Sequence, residues 1–155
     1  MASQQFISSN SKTIAIDFDG TIVEHDFPRI GKEMLFAFAT IRELNKKGHK
    51  LILWTYRTGD LLQEAVEYCK KNGVEFYAVN KNYPEETMTE GTARKLIADI
   101  FIDDRNVGGF LGWSDVWQTL HPEGGDFNHM FRNPEAHTNY KKDKTFFQKL
   151  FGGKE

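Results

Sequence analysis

The sequence predicts an α/β fold, a mostly parallel central sheet with helices on both faces. Three observations carry this. Short apolar runs alternate with longer stretches of three-to-four-residue apolar spacing, in the order strand, helix, strand, helix, strand, loop, strand. TIAI at 13–16 and LILW at 51–54 are apolar without polar alternation, as in strands covered on both faces. Gly48 and Gly73 close the two helical stretches, where a left-handed residue stops a helix at low cost.

In order, residues 1–12 are polar and read as loose. The first strand is Thr13–Phe18. The connection TIVEHDFPRI follows, kept from an early helix by Pro28. Within it His25 and Asp26 are read as solvated loop positions, with contact to substrate as the alternative. A helix is expected from Gly31 to Lys47, with Met34, Leu35, Phe38, Ile41 and Leu44 toward the sheet and Lys46 and Lys47 in its last turn. The second strand is His49–Thr55. A second helix, capped by Thr58 or Asp60, runs to Asn72 with Leu61, Leu62, Ala65, Val66 and Cys69 inward. The third strand is Phe76–Val79. Residues 80–94 are polar, and Pro84 could open a short helix there. The fourth strand is Ile97–Ile102. Beyond Arg105, Trp113, Val116, Trp117 and Leu120 form a short apolar face, read as packing at the sheet edge, with a lid or a partner surface as alternatives. Phe146, Phe147, Leu150 and Phe151 suggest a terminal helix anchored on the domain or on a second subunit.

The 155 residues suit one domain, 1–155, with a motif-bearing part at 13–107 and an aromatic extension at 108–155. A net charge of −2 gives no basic surface for nucleic acid. The single cysteine, Cys69, excludes an intrachain disulfide and is read as a small core residue. No apolar run is long enough to cross a membrane, and MASQQFISSNSK has no signal-like apolar stretch. A cytoplasmic protein is therefore expected.

Polar groups cluster where strands end. Asp17 and Asp19 close the first strand and are followed by Gly20 and Thr21. Thr55 and Arg57 follow the second, and Asp103 and Asp104 the fourth. Parallel strands bring such ends to one sheet edge, where α/β folds bind ligands. Clustered carboxylates repel unless a cation or proton relieves them. Oxygen ligands without histidine or cysteine suit Mg²⁺ rather than structural zinc. Thr55 and Arg57 can hold phosphate oxygens, and Lys95 could add a cation if it reaches the edge. The alternative for Asp17 and Asp19 is a turn with solvated acids, and for Lys95 a solvated lysine.

DFDGT at 17–21, LILWT at 51–55 and IDDR at 102–105 resemble, in order, the first, second and fourth motifs of the haloacid-dehalogenase-like (HAD) hydrolases. The resemblance implies a Rossmann-like three-layer sandwich. It implies a Mg²⁺-dependent phosphatase acting on a phosphomonoester, with Asp17 as nucleophile and Asp19 as general acid/base, its pKa above that of Asp17. Mg²⁺ would be held by Asp17, the Asp19 carbonyl and Asp103, with Asp104 behind them or acting through water. Thr55 would hold a phosphoryl oxygen. The phosphate-binding lysine would be Lys95, with Lys81 as rival. Arg57 would bind substrate, and Arg105 would be structural or salt-bridging. The connections at 21–30 and 80–94 are too short for the cap domain that many relatives insert, so a capless site is expected. It would be open to a phosphorylated small molecule, a nucleotide or a polymer-borne phosphate, or closed by a second copy in a homo-oligomer. Other readings are a phosphomutase, a phospho-accepting Mg²⁺-binding module, and a non-catalytic or oligomeric scaffold using the aromatic C-terminal segment.

Overall fold

Four strands pair in parallel in the order β3-β2-β1-β4. They are β1 (Thr13–Ile16), β2 (Lys50–Leu53), β3 (Ala78–Val79) and β4 (Ile100–Ile102), with helices α1 (Ala37–Lys46), α2 (Gly59–Lys71) and α3 (Trp113–Leu120). The structure is a computed structural model that describes residues 11–122. Residues 1–10 and the expected helix around Phe146–Phe151 lie outside the described residues. The α/β, Rossmann-like fold with a parallel sheet expected from the sequence is what forms, but among the described residues all three helices pack on one face of the sheet rather than on both. No domain is inserted among the described residues, and no helix there is long and apolar enough to cross a membrane.

The two-residue period of the strands sorts their side chains. Ile14, Ile16, Leu51, Leu53 and Ile102 face one side and join Phe38, Ile41 and Leu44 of α1, Ala65 and Cys69 of α2, and Trp113, Val116 and Trp117 of α3 in one buried cluster. Cys69 is thus a core residue, and burial pushes its thiol up to about 12. Trp113 and Trp117 pack in this core, as the packing reading expected. The other side carries Ala15, Ile52 and Ala78, with Leu96 buried against them. The segment between β3 and β4 therefore covers this face without a helix, and Pro84 opens none.

Strand β3 starts at Ala78 rather than Phe76 and β4 at Ile100 rather than Ile97; two further bounds differ for local reasons. Helix α1 begins at Ala37 rather than Gly31, because Phe36 is left-handed (φ 65°) and 22–34 makes an excursion of its own. There Glu24 N–H donates to Lys32 O at 2.7 Å and Met34 N–H to Ile22 O at 2.8 Å. Gly31 is required in this excursion, since a Cβ would overlap the Glu24 carbonyl. Strand β1 ends at Ile16, and the chain then turns over Phe18, whose carbonyl accepts N–H bonds from Ile22 and Val23.

Candidate active site

All four strands run the same way, so their carboxyl ends meet at one edge. Asp17 follows β1 and is tied to β4 by its N–H, which donates to Ile102 O at 2.9 Å. Trp54 N–H donates to Ile16 O at 2.8 Å, which fixes the end of β2 beside it. An open cleft of about 830 Å³ lies over this edge, lined by Asp17, Asp19, Thr55, Asp103 and Asp104 among others. The strand-end residues singled out in the sequence therefore converge.

Carboxylate oxygens of Asp17, Asp103 and Asp104 lie within 4.8 Å of one another. Asp17 is buried, and its pKa is pushed up to about 7, first by loss of water and then by the charge of Asp103. The hydroxyl of Thr21, donating to Asp17 Oδ2 at 3.1 Å, opposes the rise without cancelling it. Asp103 Oδ1 accepts the Arg105 N–H at 2.7 Å, which aims its carboxylate. Asp104 sits against Gly20. Gly20 has φ 89°, and a Cβ there would come 2.8 Å from Asp104 Cγ. The trio offers an all-oxygen donor set of the kind that hard cations take. The repulsion on Asp17 is what an ion would relieve.

Asp19 is not part of that trio. Its two oxygens accept bonds from Arg57 Nε and Nη2, both at 2.7 Å, in an ion pair whose side chains are fully buried. Arg57 also donates to Pro28 O at 2.9 Å and Arg29 O at 2.8 Å. The Phe18 and Phe27 rings flank it, with the guanidinium carbon 5.1 and 5.3 Å from their centroids. This corrects the expectation that Arg57 binds substrate. Burying a guanidinium requires a paired acid and satisfied N–H groups, and Asp19 with two carbonyls supplies them. Burial raises the carboxyl of Asp17, the expected nucleophile, so the deprotonated form that attack requires is one that a nearby cation would favour.

Thr55 is in place in the cleft wall. Its N–H donates to Asn80 Oδ1 at 2.8 Å, and its hydroxyl accepts the Arg57 N–H at 3.2 Å. The expected lysines are not there. Lys95 is exposed and off the cleft lining, and Lys81 donates to Pro84 O at 2.6 Å. The described residues instead bring two arginines to the cleft, Arg94 and Arg105. Leu96, buried against the sheet, anchors the segment that carries Arg94. Asp26 pairs with Arg29 at 2.8 Å in exposed surroundings, so it and the exposed His25 are loop positions as read.

Asn80 and Arg94 were missed in the sequence. Asn80 takes a left-handed conformation (φ 53°), which Asn tolerates better than most residues. An Asn directly after a strand was a usable signal. Arg94 brings a cation to the cleft one residue before Lys95, the position at which the sequence led one to be expected.

No family model matches the chain, and no curated protein matches it. A solved structure of a conserved protein coded by a locus of Bacteroides thetaiotaomicron is similar. It is 53% identical, the match covers 75% of this chain and 94% of that one, and the TM-score is 0.69.

Proposed function

We propose that this chain, which belongs to one family with the conserved Bacteroides thetaiotaomicron protein, is a Mg²⁺-dependent phosphatase of the haloacid-dehalogenase-like kind that hydrolyses phosphomonoesters. The observation that carries the reading is the group of Asp17, Asp103 and Asp104 carboxylates within 4.8 Å, in a cleft that also holds Asp19, Thr55 and Arg94.

An Asp17 oxygen attacks phosphorus, and the bond from phosphorus to the ester oxygen breaks. The leaving oxygen takes the electron pair and a proton that Asp19 relays to it from solvent in the open cleft, and an aspartyl-phosphate remains. Asp19 then takes a proton from water, which attacks phosphorus and frees phosphate and Asp17. Accepting two N–H bonds from Arg57, Asp19 is aimed and suited above all to this second step. Thr55 and Arg94 meet the phosphoryl oxygens, Arg94 in the role expected of Lys95. Asp17, Asp103 and Asp104 would hold Mg²⁺, which when bound neutralises carboxylate and phosphoryl charge. Substrates that fit an open cleft include a phosphorylated small molecule, a nucleotide or a polymer-borne phosphate, and a cytoplasmic setting agrees with this chemistry.

The test is phosphate release from 4-nitrophenyl phosphate with and without Mg²⁺. Wild type is expected to be active only with the ion. Asp17→Asn, folded by circular dichroism, is expected to lose at least about 1,000-fold, the scale of a missing nucleophile. Full activity of that variant would sink the mechanism.

A further inference from the structure

We propose that Arg57 is the positioning residue of Asp19, and that it ties the aim of this carboxylate to the loop at residues 26–30. The inference rests on the reading of Asp19 as the acid/base.

Arg57 connects three parts of the site. Its backbone N–H meets the Thr55 hydroxyl at 3.2 Å. Its Nε and Nη2 grip both oxygens of Asp19, which leaves that carboxylate no freedom to rotate without breaking two short bonds. Its Nη1 and Nη2 also bond the carbonyls of Pro28 and Arg29, in the excursion between β1 and α1. The loop continues the link outward. The Phe27 ring lies on the guanidinium and also meets the Tyr56 ring at 5.0 Å, and Tyr56 lines the cleft. Phe27 is 41% and Tyr56 55% exposed, so both can be touched by a ligand at the rim. A ligand that shifts this aromatic pair moves the carbonyls on which Arg57 hangs, and with them the carboxylate.

Lysine at 57 keeps the charge but cannot bond both Asp19 oxygens and two carbonyls at once. Arg57→Lys is expected to lower kcat on 4-nitrophenyl phosphate by about 100-fold, with KM within about threefold, as for a misaimed catalytic group. In an Asp19→Asn background the same substitution is expected to cost less than about threefold, because Arg57 then has no carboxylate to aim. An arginine that served structure alone would cost the same in both backgrounds, and that result overturns the proposal. Amide hydrogen exchange gives a readout that needs no turnover. Residues 26–30 are expected to exchange faster in Asp19→Asn, an isosteric change remote from the loop backbone, and unchanged exchange there overturns the coupling. If wild type releases no phosphate, the phosphatase reading fails by itself, and exchange still decides whether Asp19 and the loop move together.

Discussion

Gly20 shows how closely single residues are constrained at this site. It lies between Asp19 and Thr21, in a left-handed conformation, with the Asp104 carboxylate where a Cβ would be. Gly20→Ala therefore carries two penalties. The backbone strain costs about 1 kcal/mol or more, and the methyl group displaces Asp104. Gly48 is a control, also left-handed (φ 84°) but with nothing near its would-be Cβ. Both alanine variants are expected to lose stability in urea unfolding, and only Gly20→Ala to weaken Mg²⁺ binding by calorimetry. Equal ion affinities would remove the displacement argument. At this scale the sequence was informative where function needs a strand end. Asp17, Asp19, Thr55, Asp103 and Asp104 all reach the cleft, because a polar residue closing an apolar strand can be read directly. Arg57 and Asn80 also follow strands, but what they and Arg94 do could not be read from that position. Their roles depend on partners distant in sequence, such as Asp19 for Arg57 and Thr55 for Asn80.

Helix α3 acts on the site from behind. Trp113 is buried at its first turn and donates its indole N–H to Thr21 O at 2.8 Å. Thr21 in turn donates to Asp17. The helix thus holds the turn that carries Asp17, which explains why the apolar face at 113–120 belongs to the core rather than to a lid. Trp113→Phe keeps most of the packing and removes the bond, leaving a buried carbonyl unpaired. It is expected to cost about 2 kcal/mol in unfolding and to lower kcat, since Thr21 and Asp17 gain freedom. A stability loss with unchanged kcat would show that the turn is held by other contacts. The core of this helix was legible, since Trp113, Val116, Trp117 and Leu120 repeat at helical spacing. Its bond to Thr21 was not, because periodicity reports which face is buried and nothing about what that face meets. The start of α1 was misread for a related reason. Met34 and Leu35 fit the helical period, but the chain at 22–34 satisfies its own backbone first, and Phe36 turns left-handed before the helix can start.

Across the whole molecule, the parallel order β3-β2-β1-β4 puts β1 between β2 and β4, so acids from β1 and β4 crowd at one edge. The crowding should appear as a pH dependence of folding. Asp17 is raised from 3.8 to about 7, by burial first and Asp103 second. Between these values the folded chain keeps a proton that the unfolded chain has lost. Stability without a divalent ion therefore falls as pH rises from about 4 to about 7, by on the order of 4 kcal/mol. His49, lowered by burial and then by His121, acts in the opposite sense, because the unfolded chain takes up protons first as pH falls below 6.5. The two effects overlap, so wild type alone does not separate them. Asp17→Asn does, since His49 is common to both proteins and cancels in their difference. Ion-free Asp17→Asn is expected to be the more stable protein at pH 8, with the gap closing near pH 4. Mg²⁺ should reverse the order at pH 8, by stabilising wild type through the deprotonated Asp17. Its effect should fade below about pH 7, where the ion competes with a proton. Thermal unfolding of both proteins at pH 5 and pH 8, with and without Mg²⁺, separates the proton on Asp17 from the ion. A wild type that Mg²⁺ does not stabilise at pH 8 would mean that the three carboxylates hold no such ion, and that their mutual repulsion is relieved by protonation alone.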